Sequence, residues 1–139
     1  MVSESFLLVR SGTRRVGLAV AQLVAVAESG ATSAVPASEP ALAGVGTIRG
    51  ETLPVIRLGA LLGGDPGPRG DVAVLVRVSG VGICIEVDEA VTVVRAVAMP
   101  LPEDSSTAWA RGVIRHEGAY VPILDIGALG ARLFETGRA

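Results

Sequence analysis

The sequence predicts a mainly β protein built as two similar lobes, each a five-stranded antiparallel barrel with short helices. About nine or ten short apolar runs, bounded by Gly and Pro, follow one another at near-regular intervals, as in small barrels. PVIRLGAL at 54–61 is echoed by PILDIGAL at 122–129, and such a repeat indicates two related halves. Half of the 139 residues are hydrophobic but only 3% are aromatic, so aliphatic and β-branched residues, which favour strands, must fill the core.

The first half of the chain predicts two hairpins separated by an ambiguous stretch. A turn at 11–13 between two apolar runs predicts the first hairpin. AVAQLVAVA at 19–27 is either a buried strand or a short helix leading into a strand, because short apolar runs do not discriminate between the two. Ser38 is a possible N-cap of a one-turn helix. A second hairpin then turns at Arg49 and Gly50 and runs into a short helical turn.

The second half follows a Gly- and Pro-rich stretch at 62–70, which predicts a surface connection. Ser79 and Gly80 suit a tight two-residue turn between two further strands. Beyond a mixed strand and a proline-containing loop, a closing hairpin is predicted to turn over the four residues 115–118. Apolar residues at helical spacing over 126–134 predict a C-terminal helix.

Two prolines occupy matching places in the repeat. Pro54 and Pro122 each stand near the start of a strand, and since proline has no N–H to donate, both are expected at a strand edge or bulge. Upstream of the prolines, the repeat matches the residue pairs 44–45 and 48–49 with 112–115. The two hairpins that contain these residues are therefore expected to have the same structure.

Residues that perform catalysis or hold cofactors are scarce. The one cysteine, Cys84, excludes an internal disulfide and fits a reducing compartment. The one histidine, His116, has no partner at metal-ligand spacing and falls in a predicted turn. The chain has no lysine, so the Gly-rich stretch 44–50 is not a phosphate loop, and its net charge of −2 offers no attraction to nucleic acid or to an anionic membrane. We therefore expect no enzyme activity, no metal, no cofactor and no membrane insertion.

Three stretches follow a recognisable order. GVGTIRGETLPVIRL at 44–58 contains a Gly-Val, an Ile-Arg-Gly and a Pro-Val-Ile-x-Leu. IEVDEA at 85–90 ends an apolar strand, and the segment 112–126 runs from a second Gly-Val to Ile-Leu-Asp-Ile. Together with the strands at 6–20, these stretches resemble the CheW-like domain family, the adaptors of bacterial chemosensory arrays. The resemblance covers nearly the whole chain.

The resemblance implies a single CheW-like domain over 1–139, in which two SH3-like barrels interlock. The first lobe is centred on about 14–70 and the second on about 71–134, with strands crossing between them. It also implies a cytoplasmic adaptor that couples the tips of methyl-accepting receptors to the regulatory domain of a CheA-type histidine kinase. Other CheW-like domains are further implied partners.

The same resemblance selects charged and turn residues as candidates for partner binding. Arg49 keeps the family pattern and is predicted either to donate to a receptor or to hydrogen-bond within its own hairpin. Gly50 beside it is expected to supply a backbone angle that other residues resist. Arg57 stands where the family has Asp, and Ala25 where many members have Glu. One partner interaction is therefore expected to be lost or altered.

A groove between the two barrels is expected to take the apolar face of a helix, such as a receptor tip. Val24, Val26 and Val81 are the candidates to line it. Burial in a barrel core is nevertheless the commoner fate of valine, and in that case these side chains contribute to stability alone.

Two other functions are compatible with a small double barrel. One is a small-ligand sensor with a pocket between the lobes, or another protein-interaction module. The other is a nucleic-acid-binding barrel, which the acidic charge, the absence of lysine and the scarcity of aromatic residues oppose. We rank both below the adaptor.

Overall fold

The computed structural model describes residues 2–30, 32–33, 42–63, 70–102 and 109–136. The helix start expected at Ser38 lies outside these residues. In the described part of the chain, strands and helices follow one another in the order β1 (Glu4–Ser11), β2 (Arg14–Ala19), a 3₁₀ turn (Val20–Gln22), β3 (Leu23–Glu28), β4 (Thr32–Ser33), β5 (Leu42–Ile48), β6 (Glu51–Arg57), α1 (Leu58–Leu61), β7 (Val72–Val78), β8 (Val81–Val87), β9 (Glu89–Ala96), β10 (Ala110–His116), β11 (Ala119–Leu124) and α2 (Ile126–Thr136).

The strands form two sheets that each take strands from both halves of the chain. The first sheet has the order β10-β11-β2-β1-β9, and the second has the order β3-β7-β8-β6-β5-β4. The chain passes from the first sheet to the second after β2 and returns after β8. The interval 19–27 is thus a short helical turn followed by a strand, one of the two structures that its composition allowed.

The prediction of two antiparallel barrels is corrected by this topology. Both sheets are mixed, because β11 runs parallel to β2 and β6 runs parallel to β8, and no closed barrel is found among the described residues. Hairpin neighbours can be read from turn residues, whereas the parallel pairs join strands far apart in the chain. Strand spacing alone therefore carried no information on them.

Buried side chains cover both faces of the central strands. The largest cluster lies between the sheets and includes Leu7 and Val9 from β1 and Val74 from β7, together with residues from both helices. Phe6 and Leu8, which point the other way, belong to a second cluster on the first sheet. The third cluster, on the second sheet, comprises Ile48, Leu53, Val55, Ala73, Leu75 and Cys84. Because both faces are buried, these strands are continuous apolar runs rather than alternating ones.

Three hairpins use the same two-residue turn. Arg49 and Gly50 have φ angles of 53° and 83°, and the pairs at 79–80 and 117–118 have almost the same values. Positive φ at both positions is typical of the turn that matches strand twist, and it favours glycine at the second position. The four-residue turn expected at 115–118 is therefore wrong. His116 is the last residue of β10, where its side chain is 21% exposed.

Register shows how closely the two halves correspond. Val45 pairs with Pro54, and Val113 pairs with Pro122, with a bulge at the same place in β5 and β10. In the structure the turn residue Arg49 therefore corresponds to Glu117, whereas the sequence repeat matched it with Arg115, two residues earlier.

Both Pro54 and Pro122 lie in interior strands rather than at the edge of a sheet. Each stands one residue before a parallel pair, Val55–Cys84 in one sheet and Ile123–Gly17 in the other. The missing N–H thus stands just outside the parallel ladders.

Replacement of Gly50 by alanine tests the turn. No heavy atom lies within 4 Å of a Cβ built at Gly50, so the cost comes from the backbone angle alone. We expect the free energy of unfolding to fall by about 1–2 kcal/mol in urea titrations. In the control Gly17→Ala, the new Cβ has no neighbour closer than 3.8 Å, and we expect no loss of stability. Equal losses in the two variants would contradict this account of the turn.

Candidate protein-interaction surface

The two hairpin turns of the second sheet lie at one end of it. Because β6 and β8 are parallel, their first residues, Glu51 and Val81, stand at the same end. Arg77 joins the two hairpins there, since its guanidinium lies 3.5 Å from a carboxylate oxygen of Glu51. β3 also starts at this end, where Leu23 pairs with a residue near the end of β7. We call this the turn end of the second sheet.

Arg49 stands exposed at the turn end. Within the ranges that the structure describes, its guanidinium makes no hydrogen bond or ion pair, so the hairpin is not held by this side chain there. The turn is instead defined by the backbone angles at Arg49 and Gly50. An exposed guanidinium, with its five donors, can bind a carboxylate or a carbonyl group of a partner.

Val24 and Val26 lie on β3, an edge strand of the second sheet, and are 44% and 48% exposed. Burial, the commoner fate of valine, does not apply to them, because alternate residues of β3 point to solvent while Ala25 packs against the third cluster. Val81 is half-buried. The sequence could not reveal this exposure, since AVAQLVAVA is apolar throughout and does not show which strand is an edge.

An open cavity of about 220 Å³ lies beside α2 at the turn end. Val78 and Ser79 from the β7–β8 hairpin form one wall, and small residues of α2 form the other: Gly127, Gly130 and Ala131. Sequence reasoning missed this cavity. The sequence signal for this cavity was the pair Gly127 and Gly130, because residues three apart lie on the same face of a helix and glycine has no side chain to fill the space.

Arg57 lies at the opposite end of β6 from Arg49. It is six residues along the strand from Glu51, which corresponds to about 20 Å. Its Nε lies 3.7 Å from Oε1 of Glu86, whose side chain is 2% exposed, whereas that of Arg57 is 30% exposed. The structure therefore does not bring Arg57 together with Arg49, Val24 and Val81.

The repeat explains why an arginine is tolerated at position 57. Its counterpart Asp125 caps α2, because its Oδ1 accepts a hydrogen bond of 2.9 Å from the N–H of Ala128. Arginine cannot accept such a bond, and α1 has no side-chain cap. Glu86 stands opposite Arg57 in the parallel ladder of the second sheet. In the first sheet, Ile123 pairs with Gly17, so two residues further along Ala19 stands opposite Asp125. The charge reversal at Arg57 is thus matched by a carboxylate within the chain.

A second groove lies on the first sheet, near its β10 edge. It measures about 340 Å³ and is lined by Met99, Pro100, Pro102, Val113 and Tyr120. The Tyr120 side chain is 66% exposed, and the Arg115 guanidinium lies 6.0 Å from its ring centroid. Sequence reasoning treated the proline-containing segment as a loop and missed this groove.

Groups suited to chemistry are not assembled in the described ranges. No cluster of three or more His, Cys, Asp or Glu side chains that could hold a metal ion occurs there. The Cys84 thiol is buried in the third cluster. None of the described helices has the length and apolar character needed to cross a membrane.

The two open mixed sheets thus offer grooves and an exposed arginine as surface for contact with another protein. The chain belongs to the CheW-like domain family, whose model matches residues 5–133, and the resemblance seen in the sequence is confirmed. The fold is similar to that of the scaffolding protein TtCheW from Thermoanaerobacter tengcongensis, with a TM-score of 0.81 and 18% sequence identity over 93% of this chain and 88% of that chain. No curated protein matches the chain. CheW family proteins are non-catalytic scaffolds, so the chain is not an enzyme.

Replacement of Arg57 by aspartate tests the internal ion pair. The variant places a second carboxylate beside buried Glu86, and we expect the free energy of unfolding to fall by on the order of 3 kcal/mol. The double variant R57D/E86A reproduces the Asp125–Ala19 combination of the other half. It is expected to be more stable than R57D in urea titrations, although it has fewer side-chain atoms. A double variant no more stable than R57D would contradict the pairing.

Proposed function

We propose that this protein is a non-catalytic adaptor that couples methyl-accepting chemoreceptors to a CheA-type histidine kinase in the cytoplasm of a bacterium. The supporting observation is the turn end of the second sheet, where exposed Arg49 stands at one hairpin turn and the other turn forms a wall of an apolar cavity; β3, which carries two exposed valines, starts at the same end. Family membership over residues 5–133 supports the same function. The similarity of the fold to that of a scaffolding protein agrees with it.

The receptor docks at the turn end. A receptor tip is a helical hairpin, and its apolar face fits the cavity between Ser79 and the small residues of α2. Arg49 then donates to a carboxylate or carbonyl group at the rim of the same contact. Val81, at the start of β8, stands next to the hairpin turn that forms the cavity wall.

The kinase regulatory domain contacts β3. Val24 and Val26 supply exposed apolar surface on this edge strand. Ala25 lacks the carboxylate that many family members have at this place, so this copy binds the kinase more weakly than usual. Arg57 is paired with Glu86, and its charge reversal therefore has an internal explanation besides altered partner choice. Other CheW-like domains, which have the same fold, are further partners.

The Arg49 contact is tested by calorimetry with a purified receptor-tip hairpin. Arg49→Ala is expected to weaken binding by about tenfold, which corresponds to about 1.4 kcal/mol. The thermal midpoint is expected to stay unchanged, because the exposed Arg49 guanidinium makes no hydrogen bond or ion pair in the described ranges. The matched control is Arg95→Ala, which removes an exposed arginine from β9 that contacts Ser3 and Ser5. Undiminished binding by Arg49→Ala would refute the proposed contact.

The weakened kinase contact is tested by restoring the carboxylate. Ala25→Glu is expected to tighten binding to a CheA regulatory domain, while Thr92→Glu, at the topologically matching position of β9, is expected to have no effect. Because Ala25 is half-buried against the third cluster and Thr92 is exposed, circular dichroism verifies that both variants remain folded. The two positions match because Ala25 pairs with Leu75 and Thr92 with Leu8, which occupy equivalent places in the repeat. A wild-type chain that binds receptor and kinase domains as tightly as family members with the glutamate would refute the weakened interaction.

A further inference from the structure

The boundary between the two sheets has two ends that the repeat makes equivalent. Arg14 is the first residue of β2 and Val81 is the first residue of β8, each directly after a hairpin turn. Leu62 and Gly130 are also equivalent positions, because each lies five residues after a matched residue of the repeat, Arg57 and Asp125 respectively. A hairpin turn and a helix therefore meet at each end, Arg14 with α1 at one and Val81 with α2 at the other.

At the α1 end, the chain fills the space with its own side chains. Nη1 of Arg14 donates a hydrogen bond of 2.6 Å to the carbonyl oxygen of Leu62. The Arg14 guanidinium also lies 5.8 Å from the centroid of the Trp109 ring, within the range of a cation–π contact. Trp109 is half-buried against the cluster between the sheets, and its carbonyl oxygen accepts a hydrogen bond of 2.8 Å from the Asp125 N–H. The stacked pair is thus tied to both helices.

At the α2 end, the corresponding positions carry less side-chain volume. Valine stands at position 81 in place of arginine, and glycine stands at position 130 in place of leucine. A Cβ built at Gly130 would lie 3.0 Å from Val78, so this position suits a residue without a side chain. The cavity of about 220 Å³ occupies this end. The two ends therefore differ in side-chain volume at both of these matched positions.

We infer that Arg14 and Trp109 form an intramolecular closure, which seals one of the two equivalent grooves at the sheet boundary and leaves the other open. At the closed end, the groove is filled by the apolar stem of Arg14 and by the ring of Trp109. Because the two ends are equivalent, an apolar side chain of comparable size suits the open groove. The closed end also keeps a second partner helix from docking in the inverted orientation that the repeat would otherwise permit. Only this last point rests on the proposed function.

The first test uses Trp109, the single tryptophan of the chain, as a reporter. Arg14→Val installs the residue found at the open end. Acrylamide quenching of the indole is expected to rise by about twofold, because the guanidinium that covers one ring face is lost. Arg15→Val is the control, since the neighbouring Arg15 pairs only with exposed Glu117 among the described residues. Circular dichroism verifies that both variants remain folded. Unchanged quenching in folded Arg14→Val would overturn the closure.

The second test counts grooves with the apolar dye 8-anilinonaphthalene-1-sulfonate in equilibrium titrations. Arg14→Val is expected to bind one more dye molecule per chain than the wild type, and Val81→Arg, which copies the closure at the open end, one fewer. Equal stoichiometry in all three proteins would overturn the inference. Failure of the wild type to bind a receptor-tip hairpin would refute the proposed function alone, because neither readout here uses a receptor.

Discussion

The cluster of side chains between the two sheets is the contact on which the remaining structure depends. Leu7, Val9 and Val16 reach it from the first sheet and Val74 and Ile85 from the second, all of them buried. Burial of such side chains contributes roughly 1.5–3 kcal/mol each. Because β1 and β2 come from the start of the chain and β7 and β8 from its middle, neither sheet can bury its inner face without the other half.

This dependence also positions the candidate interaction surface. The parallel pairing of β6 with β8 places two hairpin turns at one end of the second sheet, and α2 closes against the same end after the last strand of the first sheet. The cavity wall thus combines the β7–β8 hairpin with a helix that follows the first sheet. This end of the second sheet thus brings together an open cavity and the exposed Arg49 without any catalytic group.

The charge reversal at Arg57 illustrates how local and long-range information differ. From the sequence, Arg57 was a departure from the family pattern and a candidate for altered partner choice. The structure pairs it with Glu86, 29 positions away in the chain but opposite in the parallel ladder. Conversely, the exposure of Val24 and Val26 follows from their place on an edge strand, which an apolar segment does not reveal by its composition.

The sequence by itself determined the strands, the turns at Gly50 and Gly80, the terminal helix, the repeat and the family, because each depends on local backbone chemistry or on ordered signatures. Only the tertiary structure decided that the sheets are open and mixed, that His116 belongs to a strand, and that Arg57 and Arg49 lie at opposite ends of β6. It also decided that Arg14 contacts Leu62 and Trp109 at one end of the boundary, while a cavity lies beside Gly130 at the other. These features arise from pairing between strands that are distant in the chain, which no local pattern of residues specifies.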